Sequence, residues 1–141
     1  MEIVHYDCEV RDVEECHEKF SLPLGKDGPK FMEDEFLLHR INFLKEELEE
    51  FMEAVQNKDL PKAVDGLVDL VYVVKGTALM MGVDPVCWAH LWEEVHAANM
   101  RKEKTEPVSA RERYHFGLRK PEGWKPPDIA GILKRHKALL P

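Results

Sequence analysis

Glu46, Glu47 and Glu50 stand in the run Leu44-Lys45-Glu46-Glu47-Leu48-Glu49-Glu50. At about 100° per residue on a helix, the three carboxylates fall within about a third of the circumference. Carboxylates aimed one way suit a hard divalent cation such as Mg²⁺, which takes oxygen ligands in near-octahedral geometry and shares them among acids, water and substrate phosphates. A plainer reading is a solvated helix face, and Glu49 and Glu53 fit it. Glu47 and Glu50 fit it less well. They share a stripe with Phe36, Phe43 and Ala54, which predicts a second, half-buried face where a carboxylate needs a partner.

Further along, residues 64–74 are apolar nearly all round, interrupted by Asp65, Gly66 and Asp69. A helix of that kind is expected to be buried on most sides. Asp65 suits a helix N-terminus, but Asp69 lies two turns in, where the dipole has faded, so it needs a partner. Glu46, Glu47, Glu50, Asp65 and Asp69 on two adjacent helices would supply a metal's oxygen set.

The elements that must position these acids are helices. Helix-period apolar spacing recurs along the chain and no segment sustains the alternation of a half-buried strand, which predicts an all-α fold. A first helix spans about Val10 to Phe20, and the loop from Ser21 to Lys30 ends it. From about Phe31 to Asn57, Leu37, Ile41, Leu44, Leu48, Phe51 and Val55 form a seam at steps of four and three, for packing in a bundle. Asp59 as N-cap and Pro61 open a third helix reaching about Met81, which Gly82 closes; Asp84 and Pro85 open a fourth that runs to about Lys102. A basic loop with Arg111, Arg113, Arg119, Lys120 and Lys125 follows, then a last helix near Asp128 to Ala138. The chain reads as a single domain over 1–141, with an N-terminal helix and loop (1–30), core helices (31–102), and a basic loop and C-terminal helix (103–141).

The net charge of −7 is uneven: residues 1–100 hold 9 Lys/Arg against 22 Asp/Glu, and residues 101–141 hold 11 against 5. The acidic body argues against nucleic-acid binding. No apolar run approaches the roughly 18 residues of a membrane span, and Met1 to Val10 lacks a signal-peptide pattern, so a cytoplasmic location without membrane contact is expected. Cys8, Cys16 and Cys87 lack CxxC spacing and read as reduced thiols, Cys87 in the core.

Taken together, the acidic run, Asp69-Leu70-Val71-Tyr72-Val73, Glu94-Val95-His96-Ala97-Ala98-Asn99-Met100-Arg101-Lys102 and the tail Lys120-Pro121-Glu122-Gly123-Trp124-Lys125-Pro126-Pro127-Asp128-Ile129 resemble the MazG-like nucleotide pyrophosphohydrolases. The tail is similar to the end of small bacterial and phage members, and the likeness runs from about residue 33 to 132. It implies an oligomerising bundle of antiparallel helices, and the long seam on a small chain favours a homodimer or homotetramer. It also implies Mg²⁺-dependent cleavage of a nucleoside triphosphate between its α and β phosphates, with Mn²⁺ as a substitute cation and control of nucleotide pools as the role. Glu46, Glu47 and Glu50 become metal ligands, with Glu46 or Glu47 orienting or deprotonating the attacking water. Asp69 matches the Asp of the family's ExxD motif. The Glu of that motif is replaced by Gly66, and Asp65, one turn before Asp69, is the candidate to take over its function. Asn99 and Lys102 are expected on the substrate, with Lys120 a weaker candidate. Trp124 either stacks on a base or anchors its loop, Tyr72 borders the pocket, and Gly76 admits a close neighbour. Substrates across such enzymes include dUTP, dCTP, purine and damaged deoxynucleotides, and in a related branch phosphoribosyl-ATP.

Two rival readings remain open at this point. Glu14 with His17, and Glu93 with His96, have the Glu-x-x-His spacing of a ferritin-like di-iron protein. A non-catalytic helical interaction module would account for the seam but leave Asp69 unexplained.

Overall fold

The computed structural model describes residues 8–104 and 117–138. In chain order its elements are α1 (Cys8–Lys19), α2 (Asp34–Gln56), α3 (Leu60–Met80), α4 (Pro85–Met100), β1 (Glu103–Lys104), β2 (Leu118–Arg119) and α5 (Ile129–Ala138). The expected all-α architecture is present. No single helix among the described residues is long and apolar enough to cross a membrane.

Local chemistry sets the ends of the helices. Asp59 accepts from the Lys62 amide at 3.1 Å and Asp84 from the Cys87 amide at 2.8 Å, so both predicted N-caps satisfy amides that α3 and α4 leave unbonded. Pro in the first turn supplies a preset φ to each. Asn57, Lys58 and Asp59 reverse the chain between α2 and α3, and Lys58 takes a φ of 55° there. The result is a long antiparallel hairpin.

At the far end of α3 the chain turns through Gly82, whose φ is +77°. The loop before α2 lies against this turn, with the Gly25 amide donating to the Leu79 carbonyl and the Lys30 amide to the Met81 carbonyl, both at 2.9 Å. A Cβ on Gly82 would stand 2.0 Å from the Gly28 carbonyl oxygen. Beyond the turn, α4 departs from α3 at 116°.

Helix α1 packs on α3 and α4, through a small core of Val10, Val13 and Leu79 flanked by Leu24 and Trp88. Lys75, buried on α3, pairs with Glu9 of α1. Gly76 admits close neighbours, as expected: a Cβ there would lie 2.9 Å from both Arg40 Nη2 and His17 Nε2. His17 is buried and donates from Nδ1 to the Pro23 carbonyl at 2.9 Å. Cys87 is buried as expected, and Cys16 and Cys87 are free thiols.

Two expectations need correction. The α2 seam is only partly covered, with Ile41 41% and Val55 53% exposed. Helix α3, expected to be buried on most sides, leaves Val68 60% and Val71 46% exposed. The reason is a shortage of neighbours: among the described residues α3 packs extensively only against α2 and α1. A further departure is the two-residue ladder pairing Glu103 with Arg119 and Lys104 with Leu118 inside the predicted basic loop. Strands this short leave no periodicity to detect. Arg111 and Arg113 of that loop lie outside the described residues.

Candidate active site

The acids of α2 and α3 come together along the hairpin. Glu47 is half-buried, and its Oε2 is fully buried with no hydrogen-bond partner among the described residues. Burial raises its carboxyl above the ordinary carboxylate range, and the charges of Glu50, Asp69, Glu46 and Asp65 raise it further, in that order. Four carboxylates therefore act on a fifth. Glu46, Glu50 and Asp65 are exposed and Asp69 is half-buried, so the group forms an open acidic strip rather than an interior cluster.

Gly66 has a steric reason for its identity. A Cβ at this position would meet the Phe51 backbone and Cβ at 3.3 to 3.4 Å, so the glycine lets α2 and α3 approach closely one turn beyond Glu47. The residue that would complete ExxD would have to start inside that contact. Asp65 is the neighbouring acid that acts electrostatically on Glu47.

The donor set consists of hard oxygens, and its central member keeps a buried oxygen without a partner, which is the chemistry that suits a divalent cation such as Mg²⁺. Among the described residues no three acidic, imidazole or thiol side chains are arranged as a ligating cluster. Like charges at close range repel.

The predicted basic contacts gather elsewhere. Trp124 donates its indole N–H to the Ala98 carbonyl at 2.9 Å, anchoring its loop to the end of α4. Lys102 and Lys120 place their ammonium groups 5.7 and 4.9 Å from its ring centroid. The loop forms a concavity of about 330 Å³ lined by Arg101, Pro121, Glu122, Gly123, Trp124 and Lys125. Asn99 is exposed on the last turn of α4, and its carbonyl accepts from the Lys102 amide at 3.1 Å. Helix α4 packs mainly on α5 and α1, so this basic corner and the acidic strip belong to different helix pairs within one chain.

Tyr72 borders a different space from the acids. It lines an apolar groove of about 440 Å³ between α1 and α3, with Val13, Val64, Leu67, Val68 and Val71. A hydrogen bond with Cys16 is the largest of the effects that push its phenol up to about 12; burial adds to it, as do the charges of Cys16, Asp12 and Glu15.

One arrangement was not foreseen from spacing. Arg40 donates through Nε to Thr77 Oγ1 at 3.0 Å and through Nη2 to the Val73 carbonyl at 2.9 Å, tying α2 to α3. Burial lowers its pKa, and the guanidinium lies 5.4 Å from the Phe43 ring centroid. The available signal was its place in one helix row with Phe43 and Glu47. For the di-iron reading, His17 spends Nδ1 on Pro23, Glu93 and His96 are exposed, and the described residues show no cluster joining the two pairs.

Comparison with known proteins agrees with the helical architecture. No curated protein matches the chain. A family model for phosphoribosyl-ATP pyrophosphohydrolase matches residues 13–99, more than half of the 141, taking in most of α1 and all of α2 and α3, and ending within α4 before the Trp124 loop. The chain is thus a pyrophosphohydrolase that belongs to the phosphoribosyl-ATP pyrophosphohydrolase family, part of the MazG-like all-α nucleoside triphosphate pyrophosphohydrolase superfamily.

Proposed function

We propose that the protein hydrolyses a (deoxy)nucleoside triphosphate between the α and β phosphates, releasing pyrophosphate and a monophosphate, in a Mg²⁺-dependent reaction that controls a cytoplasmic nucleotide pool. The observation that carries this reading is the buried Glu47 Oε2, without a hydrogen-bond partner among the described residues and set among four further carboxylates. Glu46, Glu47, Glu50 and Asp69 hold the cation, with Asp65 in the place left by Gly66. When bound, Mg²⁺ supplies charge neutralisation of the triphosphate and polarisation of the phosphorus under attack. Glu46 or Glu47 orients the attacking water and takes its proton. Asn99, Lys102 and Lys120 bind the substrate, the lysines on phosphate oxygens, while Trp124 holds its loop in place.

Pyrophosphate release from a panel of dNTPs, NTPs and phosphoribosyl-ATP, each with Mg²⁺ and with EDTA, tests this. Release from a nucleoside triphosphate that EDTA abolishes is the expected result. Release from phosphoribosyl-ATP alone would overturn the substrate class, and release unaffected by EDTA would overturn the metal assignment.

The active form is an oligomer, a homodimer or homotetramer. The exposed apolar side chains of α2 and α3, including Ile41, Val55, Val68 and Val71, support this, because extensive exposed apolar surface marks an interaction site. A second copy also offers a basic corner, which among the described residues of one chain lies on a different helix pair from the acidic strip. In sedimentation the protein is expected to run as a dimer or tetramer, and Val68→Glu as a monomer. A monomeric parent protein would overturn the assembly.

A further inference from the structure

Helix α5 is docked on α4. Ile132 is its buried residue, the Asp128 amide donates to Glu94 Oε1 at 3.1 Å just before its first turn, and His136 meets His90 near its last. The two imidazoles face each other nitrogen to nitrogen, His90 Nδ1 to His136 Nε2 at 2.8 Å, with ring centroids 5.0 Å apart. That centroid separation is close to the nitrogen distance plus two ring radii, so the nitrogens lie nearly on the line between the rings. The arrangement is that of an N–H aimed at a lone pair. Two imidazoles sharing a metal ion would instead bend toward a common point beside that line.

Such a contact counts protons. With both rings neutral, one facing nitrogen carries a hydrogen and the other accepts it. One added proton goes to an outward nitrogen and leaves the bond in place. A second puts hydrogens on both facing nitrogens and positive charge on both rings, and the contact is lost. The charged groups acting on His136 are His90, Asp84 at the start of α4 and Arg135 beside it on α5. Burial and His90 disfavour its charged form, Asp84 favours it and Arg135 opposes it.

We propose that His90 and His136 form a proton-operated latch that keeps α5, and the Trp124 loop leading into it, docked on α4 at neutral pH and releases them in mild acid. The sign follows from linkage: the undocked rings take both protons at the ordinary imidazole pKa, whereas the docked pair resists the second. Docking is therefore fully favoured above that pKa and is lost as pH falls below it. This inference does not depend on the reaction proposed above.

Hydrogen exchange of the α5 amides in the full chain tests it, comparing the parent protein with a His90→Asn/His136→Gln double variant whose carboxamides can bond but do not titrate. After correction for intrinsic rates, the parent's α5 is expected to lose protection by about tenfold or more between about pH 7.5 and pH 5, while the double variant stays flat. An equal loss in both proteins, or none in the parent, would overturn the latch. If the double variant is unprotected throughout, ¹⁵N titration of the parent's imidazoles decides: two separate protonation steps with α5 opening on the second support it, and independent single steps with α5 still docked overturn it. Stoichiometric zinc uptake at about pH 7.5 that the double variant loses would identify a metal site and overturn it as well.

Discussion

Glu47→Gln is expected to lower kcat for pyrophosphate release by at least about a hundredfold, because it removes a charged oxygen from the centre of the proposed cation site. In EDTA the same substitution is expected to raise the melting temperature, by about 3 °C. Glu47 is held above the ordinary carboxylate range by burial and by Glu50, Asp69, Glu46 and Asp65, so at neutral pH its charge weakens the metal-free fold. The sign is that of a raised carboxyl: the native state binds the proton more tightly than the unfolded chain, so this group's contribution to stability grows as pH falls through its folded pKa and is lost as pH rises through it. Scanning calorimetry in EDTA at about pH 5 and pH 7.5 should show the gain from Glu47→Gln mainly at the higher pH, and saturating Mg²⁺ should reverse the order of the two proteins. Activity and metal-free stability moving in the same direction would argue against the site.

The largest effect on the fold is expected at a glycine far from the acids. Gly82→Ala should destabilise by about 2–4 kcal/mol, combining the cost of a side chain at positive φ with that of pushing the 20–33 loop outward. The Cβ would stand 2.0 Å from Gly28 O, a backbone atom that cannot swing aside as a side-chain tip does. Urea denaturation monitored by circular dichroism would measure it, and a loss below about 0.5 kcal/mol would show that the loop moves freely.

Much of the fold could be read from the chain because its instructions are local. Asp59, Asp84, their following prolines and Gly82 act within one turn of the helix ends they set, and each is found where expected. The acidic strip was legible for a similar reason: on an antiparallel hairpin, two helix rows chosen by period face each other. Arg40 was harder to place, since its partners Val73 and Thr77 are more than thirty residues away and a lone arginine in an apolar row reads as a surface charge. The exposure of Val68 and Val71 could not be read either, because an apolar helix announces that it needs cover without saying whether the cover comes from its own chain. The Trp124 indole was given two roles by its sequence context, and only its bond to Ala98 shows the anchoring one.

The 116° bend at the end of α3 makes the molecule an angle bracket. One arm is the α2–α3 hairpin, which carries the acids, and the other is α4 with the Trp124 loop and α5, which carries the basic groups. Helix α1 is the diagonal strut between them, pinned to the first arm by Lys75 and Leu79 and to the second by Trp88. The spread between a chain's acids and its own cations is thus set by a twelve-residue brace that contains none of the proposed ligands.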